Sequence, residues 1–244
     1  MKEISTEDFI KQLHIILFDL NVIARQTADK LQQDYGWTDN DARIYFFNAV
    51  GQTCFLHGMT INFINKDILL NNNKWRENQD YFTPSGDHDF EGIVFNYSGL
   101  VRDNFFVDFI ILLEHALRIF GEKINPQITS DKIATIKDQI IKQLGLDTEY
   151  KKLFDIIFKL RNTIHNAGLH SDDKPSITYK GKTFEFFEKK ETQSSLENIE
   201  FLFNEALVFM TELFNHDASK NVADMEHPYK PLFDPASQQS TAIN

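Results

Sequence analysis

The sequence predicts an all-α fold, a bundle of about five to seven helices with one small β-hairpin inserted before the last helix. Three observations lead there. Apolar residues recur at three- and four-residue steps through most of the chain. The period drops to two in one short stretch only, around Lys180-Gly181. Helix-starting and helix-stopping residues fall where the periodic segments begin and end.

Ser5 and Thr6 precede Glu7 and Asp8, and Ser5-x-x-Asp8 is close to a capping box, so a helix starts there. Phe9, Leu13, Ile16, Leu17, Leu20, Ala24, Ala28 and Leu31 give it one apolar face, and Gly36 ends it. Thr38 or Asp39 caps a second helix carrying Phe46, Phe47, Val50, Cys54 and Phe55, with Gly51 and Gly58 inside it. From Asn71 to Gly92 the chain is polar and rich in turn residues, which predicts a long loop. A helix from roughly Tyr97 to Phe120 is apolar on nearly every side and belongs at the centre of the bundle.

Ser130 opens a short amphipathic helix that Gly145 ends; Asp147 caps the next, which runs through Leu153, Ile157 and Ile164 toward Gly168. Residues Ile177 to Phe186 alternate around the Lys-Gly turn and predict the hairpin. The last helix spans about Ser195 to Phe214. Residues 1–216 form one helical domain in this reading, and 217–244 a tail that is disordered or loosely docked.

The 23 Phe residues imply a core of large aromatic side chains. The single cysteine, Cys54, excludes an intrachain disulfide and suits a reducing compartment. The N-terminal residues lack a basic stretch leading into an apolar run, and no apolar run approaches 18 residues, so the expectation is a cytoplasmic protein without a membrane span. A net charge of −11 disfavours broad attraction to nucleic acid, although a local basic site remains compatible with it.

The cluster Arg161-Asn162-Thr163-Ile164-His165-Asn166 is the best candidate for chemistry. Arg161 and His165 are one helical turn apart on one face. A fixed guanidinium holds a phosphate and stabilises transition-state charge, and an imidazole moves a proton near neutral pH. Asn162 and Asn166 form a second polar pair, and His170 follows. The competing reading is a plain helix ending, since basic residues, Asn and Gly are common there. Asn104, Asp108 and His115 lie near one stripe of the central helix; they either face this cluster from across the bundle, with Asp108 in a supporting place, or mark a solvent-facing edge or a satisfied buried polar pair. Glu114 and Arg118 read as an i,i+4 pair. Cys54-x-x-His57 is half a metal-site pattern with no second half, so no metal and no cofactor is expected.

Arg-Asn-x-x-His-Asn near the end of a long helix, followed by the hairpin around Tyr179-Lys180-Gly181 and a final helix, resembles the HEPN superfamily of small helical bundles. The resemblance covers roughly residues 147–214. It implies a metal-independent endoribonuclease of a prokaryotic defence or toxin–antitoxin system, built as a homodimer, with Arg161 and His165 as its catalytic pair. It equally allows a non-catalytic member that dimerises or binds a partner protein. Three residues separate Arg161 from His165 where the superfamily usually has four to six, and Ala167 stands where some toxin members carry Tyr.

Overall fold

The computed structural model describes residues 4–69, 87–125, 128, 132–165, 176–186 and 195–222, with the side chains of 87–90 and 165 left aside. These residues form seven α-helices and one two-stranded antiparallel hairpin placed before the last two helices. No helix among them is long and apolar enough to cross a membrane.

Helix α1 (Thr6–Tyr35) starts on Ser5, whose Oγ accepts from the Asp8 amide, and ends on Gly36 at φ 69°. Only glycine takes that left-handed conformation without steric cost. Helix α2 (Ala42–Phe63) is capped by Asp41, not by Thr38 or Asp39: its carboxylate accepts from the Arg43 amide at 2.9 Å. Neither Gly51 nor Gly58 interrupts α2, which runs on into a π-helical segment, Ile64–Leu69. At Gly51 a methyl would lie 3.2 Å from Asn21 Oδ1 and 3.3 Å from Arg25 Cγ, so the missing side chain lets α1 approach closely.

Helix α3 spans Asp87–Ile124 and therefore begins ten residues before the expected start at Tyr97. The polar run 87–92, read as loop, is its first turns, while residues 71–86 lie outside the described residues. α3 is central, as its all-round apolar character implied. It contacts α1, α2, helix α4 (Ile133–Leu144) and helix α5 (Tyr150–His165). Phe105, Phe106 and Phe109 also surround Phe203 of helix α6 (Leu196–Asn215) with ring centroids 4.3–5.3 Å apart. Gly121 of α3 sits where α4 crosses, against Ile128, Ile136 and Ile140.

Asp147 accepts from the Glu149 amide ahead of α5. The hairpin pairs β1 (Ser176–Tyr179) with β2 (Lys182–Glu185), Ile177 opposite Phe184. Its turn has positive φ at both Lys180 (44°) and Gly181 (79°), the geometry whose twist matches two strands joined by two residues. Tyr179 is fully buried and donates to Glu205 of α6 at 2.8 Å, which docks the hairpin.

Past the expected boundary at 216 the chain remains docked for six residues. Helix α7 (Asp217–Lys220) buries Ser219, and Val222 packs on the core. Residues 223–244 lie outside the described residues.

Among the described residues the expectation that the Phe residues are core holds for most and fails for four. Phe18, Phe55, Phe63 and Phe95 are 59, 51, 48 and 39 % exposed. Phe55, assigned to the buried stripe of the second helix, stands 100° round from Cys54 and points out of the bundle.

Candidate functional site

The site is built from the last two turns of α5 and the middle of α3. Leu153, Ile156, Ile157, Leu160 and Thr163 fix the inward side of α5; all are buried. Thr163 donates its hydroxyl to the Lys159 carbonyl at 2.9 Å, a back-bond within the helix. With that side fixed, the helical period puts Arg161 on the flank of the core and Asn162 in solvent. Ile164 packs partly against the core.

Arg161 does not point freely into water. Its Nη1 lies 3.0 Å from Glu114 Oε1 of α3, the two side chains being 30 and 16 % exposed. The contact is ionic without the angles of a hydrogen bond: Glu114 Oε1 and Arg161 Nε are both buried atoms that make none. A carboxylate from the central helix thus fixes where the guanidinium sits while one of its donors stays unspent. Nearly all buried polar groups are hydrogen-bonded, so two such atoms side by side mark this spot as unusual.

His165 is the last residue of α5, one turn beyond Arg161 on the same flank of the backbone. Its side chain, with Asn166 and His170, lies outside the described residues.

Asp108 does not join this group. It is 51 % exposed and pairs with His57 Nε2 of α2 at 3.0 Å. Six residues of helix separate Asp108 from Glu114, about 9 Å along the axis and 120° around it, so the two carboxylates serve different neighbours. Asn104 is exposed as well, and the stripe through Asn104 and Asp108 is a solvent-facing edge. His57 is held against the Phe105 ring and Asp108; among the described residues no group of three His, Cys, Asp or Glu could hold a metal ion.

The sequence pairs Glu114 only with Arg118 on its own helix, and its contact with Arg161 is what that reading lacks. The signal was present: Glu114 is a carboxylate between Leu113 and His115 in a helix apolar all round, and a charge there needs a cation from another element.

No protein-family model, no curated protein and no solved structure matches this chain.

Proposed function

We propose that the chain is a HEPN-like, metal-independent endoribonuclease, of the kind expected in a prokaryotic defence or toxin–antitoxin system. The observation that carries the reading is the Arg161–Glu114 contact: a guanidinium held by a carboxylate of the central helix and still partly in solvent. Such a group is preorganised to receive a phosphate oxygen, and preorganised charge is what stabilises a phosphorane-like transition state. His165, one turn on, takes the proton of a ribose 2′-hydroxyl. The 2′-oxygen bonds to phosphorus as the 5′-oxygen leaves. The proton goes to the leaving oxygen, and the ends formed are a 2′,3′-cyclic phosphate and a 5′-hydroxyl. No step needs a cofactor.

A second reading is favoured by a property of the same contact. Glu114 neutralises part of the charge on Arg161, and a net charge of −11 opposes RNA approaching elsewhere. Both suit a non-catalytic HEPN-like module that dimerises or binds a partner protein.

Paired expression of the wild type and His165→Ala separates the two. The ribonuclease reading expects wild-type expression to arrest growth and fragment cellular RNA into pieces with cyclic-phosphate ends, both abolished by the substitution. Purified wild-type protein that leaves a mixed RNA pool intact, with His165→Ala indistinguishable from it, sinks the ribonuclease and leaves the module.

A further inference from the structure

Between Arg43 and Lys66 the chain carries no Asp, Glu, Lys or Arg, a span that includes nearly all of α2. Its inner side is core: Phe46, Phe47, Val50, Cys54 and Ile61 are buried. Among the described residues nothing covers its outer side. Phe55, Met59 and Phe63 follow at four-residue steps and are 51, 56 and 48 % exposed, with Leu56 beside them at 55 %. A helix at a protein surface ordinarily turns charged residues outward, and one that is apolar all round is ordinarily buried. Next to this ridge a groove of about 390 Å³ runs between α1 and α2, walled by Phe18, Phe55 and Met59. Gly58 keeps it open: a methyl built there meets nothing within 4 Å.

We infer that this ridge and groove form the surface on which a second copy of the chain sits, α1 and α2 packing on α1 and α2 of the copy about a two-fold axis. Three arguments select that occupant. The first is area. The five side chains Phe18, Phe55, Leu56, Met59 and Phe63 are each about half exposed. At about 150–250 Å² for a large side chain they leave roughly 400–600 Å² of apolar surface on one face. That is most of the roughly 800 Å² per partner in a stable interface, and as large as the biggest patches monomers expose.

The second argument is charge. Two copies of a −11 chain repel across most of their surface. The groove is lined by no Asp or Glu and carries His14 and Arg25, so on this face like chains can approach. Depletion of charge is also what distinguishes interface centres from ordinary surface. The third is symmetry. A two-fold contact uses the same patch twice and must be self-complementary. Here ridge and groove lie side by side, so the Phe55–Met59 ridge of each copy can enter the groove of the other.

The inference is independent of whether Arg161 and His165 cleave anything, because its readout is mass. Sedimentation equilibrium on the full chain, from about 1 to 100 µM, expects twice the chain mass of 28.5 kDa for the wild type. Phe55→Glu and Met59→Glu each place a charge twice in the interface and are expected to raise the dissociation constant at least about a hundredfold. Gly58→Leu fills the groove without adding charge and is expected to dissociate the pair as well. Val208→Glu, on an exposed apolar residue of α6, is expected to leave the dimer unchanged. Helicity by circular dichroism confirms folding of each variant, and Gly58→Leu, a good helix former in open space, keeps the test valid if a Glu variant fails to fold. A wild type that remains monomeric at about 100 µM overturns the inference and gives the face to another occupant. A dimer that none of the three α2 variants weakens overturns it too.

Discussion

The Asp41 carboxylate and the Arg43 guanidinium meet in two parallel hydrogen bonds, 2.7 Å to Nε and 2.6 Å to Nη2, where both side chains are only 1 % exposed. The same guanidinium lies 3.6 Å from the centre of the Trp37 ring and donates to the Ser219 carbonyl at 2.6 Å. One buried arginine therefore joins the α1–α2 connection to α7. Removing either partner strands a buried charge, which costs about 3–5 kcal/mol, whereas losing both costs less than the sum. Urea unfolding of Arg43→Met, Asp41→Asn and the double variant is expected to give that order. A change under about 1 kcal/mol for Arg43→Met would contradict the burial argument.

Two glycines of α3 predict opposite outcomes for the same substitution. At Gly99 an added methyl meets nothing within 4 Å, so alanine brings only its better helix propensity, about 0.5–1 kcal/mol. At Gly121 the methyl would stand 3.2 Å from Cγ2 of both Ile128 and Ile136 and 3.4 Å from Cδ1 of Ile140. Stiff branched side chains on a buried face cannot all retreat, and overpacking of this kind costs about 1–3 kcal/mol. Gly99→Ala is expected to raise the melting temperature and Gly121→Ala to lower it. Equal shifts in the two would mean that the α3–α4 contact is looser than described.

Burial governs the alkaline side of the stability curve. It pushes the Cys54 thiol from 9.0 up to about 12. It also raises Tyr150 and Tyr179 above 10.0, with hydrogen bonds to Glu212 and Glu205 adding to the rise. Each group is neutral in the folded chain and ionises first in the unfolded one. Their contribution is thus intact below pH 9 and lost as pH climbs toward the folded-state values, at up to about 1.4 kcal/mol per pH unit for each ionising group. Urea midpoints are expected to be flat with respect to these groups from neutral pH to about 9, and to fall beyond it. Cys54→Ala should remove the part of the fall that begins nearest 9. In the folded protein Cys54 is expected to resist thiol reagents at about pH 8 and to react fully in denaturant.

What could be read from the sequence was local. Gly36 and Gly145 end helices in left-handed conformations, Ser5 and Ser195 accept from amides three residues on, and the Lys180-Gly181 turn closes the hairpin. Each depends on neighbours within a few residues, so composition and spacing carry it. The start of α3 at Asp87 was hidden because Asp, His and Gly are poor helix formers, and tertiary packing outweighed their propensities. Phe55 reads as core because an aromatic at helical spacing usually is; only the placement of α1 decides which side of α2 is covered. The site divides the same way. The spacing of Arg161 and His165 on one helix was legible, while Glu114 and Arg161, 47 positions apart, come together only through the crossing of α3 and α5.

That crossing gives the last prediction. If Glu114 positions Arg161 for a phosphate, Glu114→Gln retains size and shape but loses the charge that holds the guanidinium. RNA cleavage should fall about tenfold to a hundredfold, as when groups that orient functional residues are altered. Stability should change little, because the pair is partly exposed and screened. Arg161→Lys should not restore activity, since an ammonium is a point charge without the planar fork that grips phosphate. The pH profile separates positioning from a merely structural role. A cleavage rate that follows an imidazole near neutrality should retain its shape in Glu114→Gln while its height drops. If instead Glu114→Gln cleaves RNA faster, the carboxylate restrains Arg161 by competing with the phosphate, and the contact is a brake on the site.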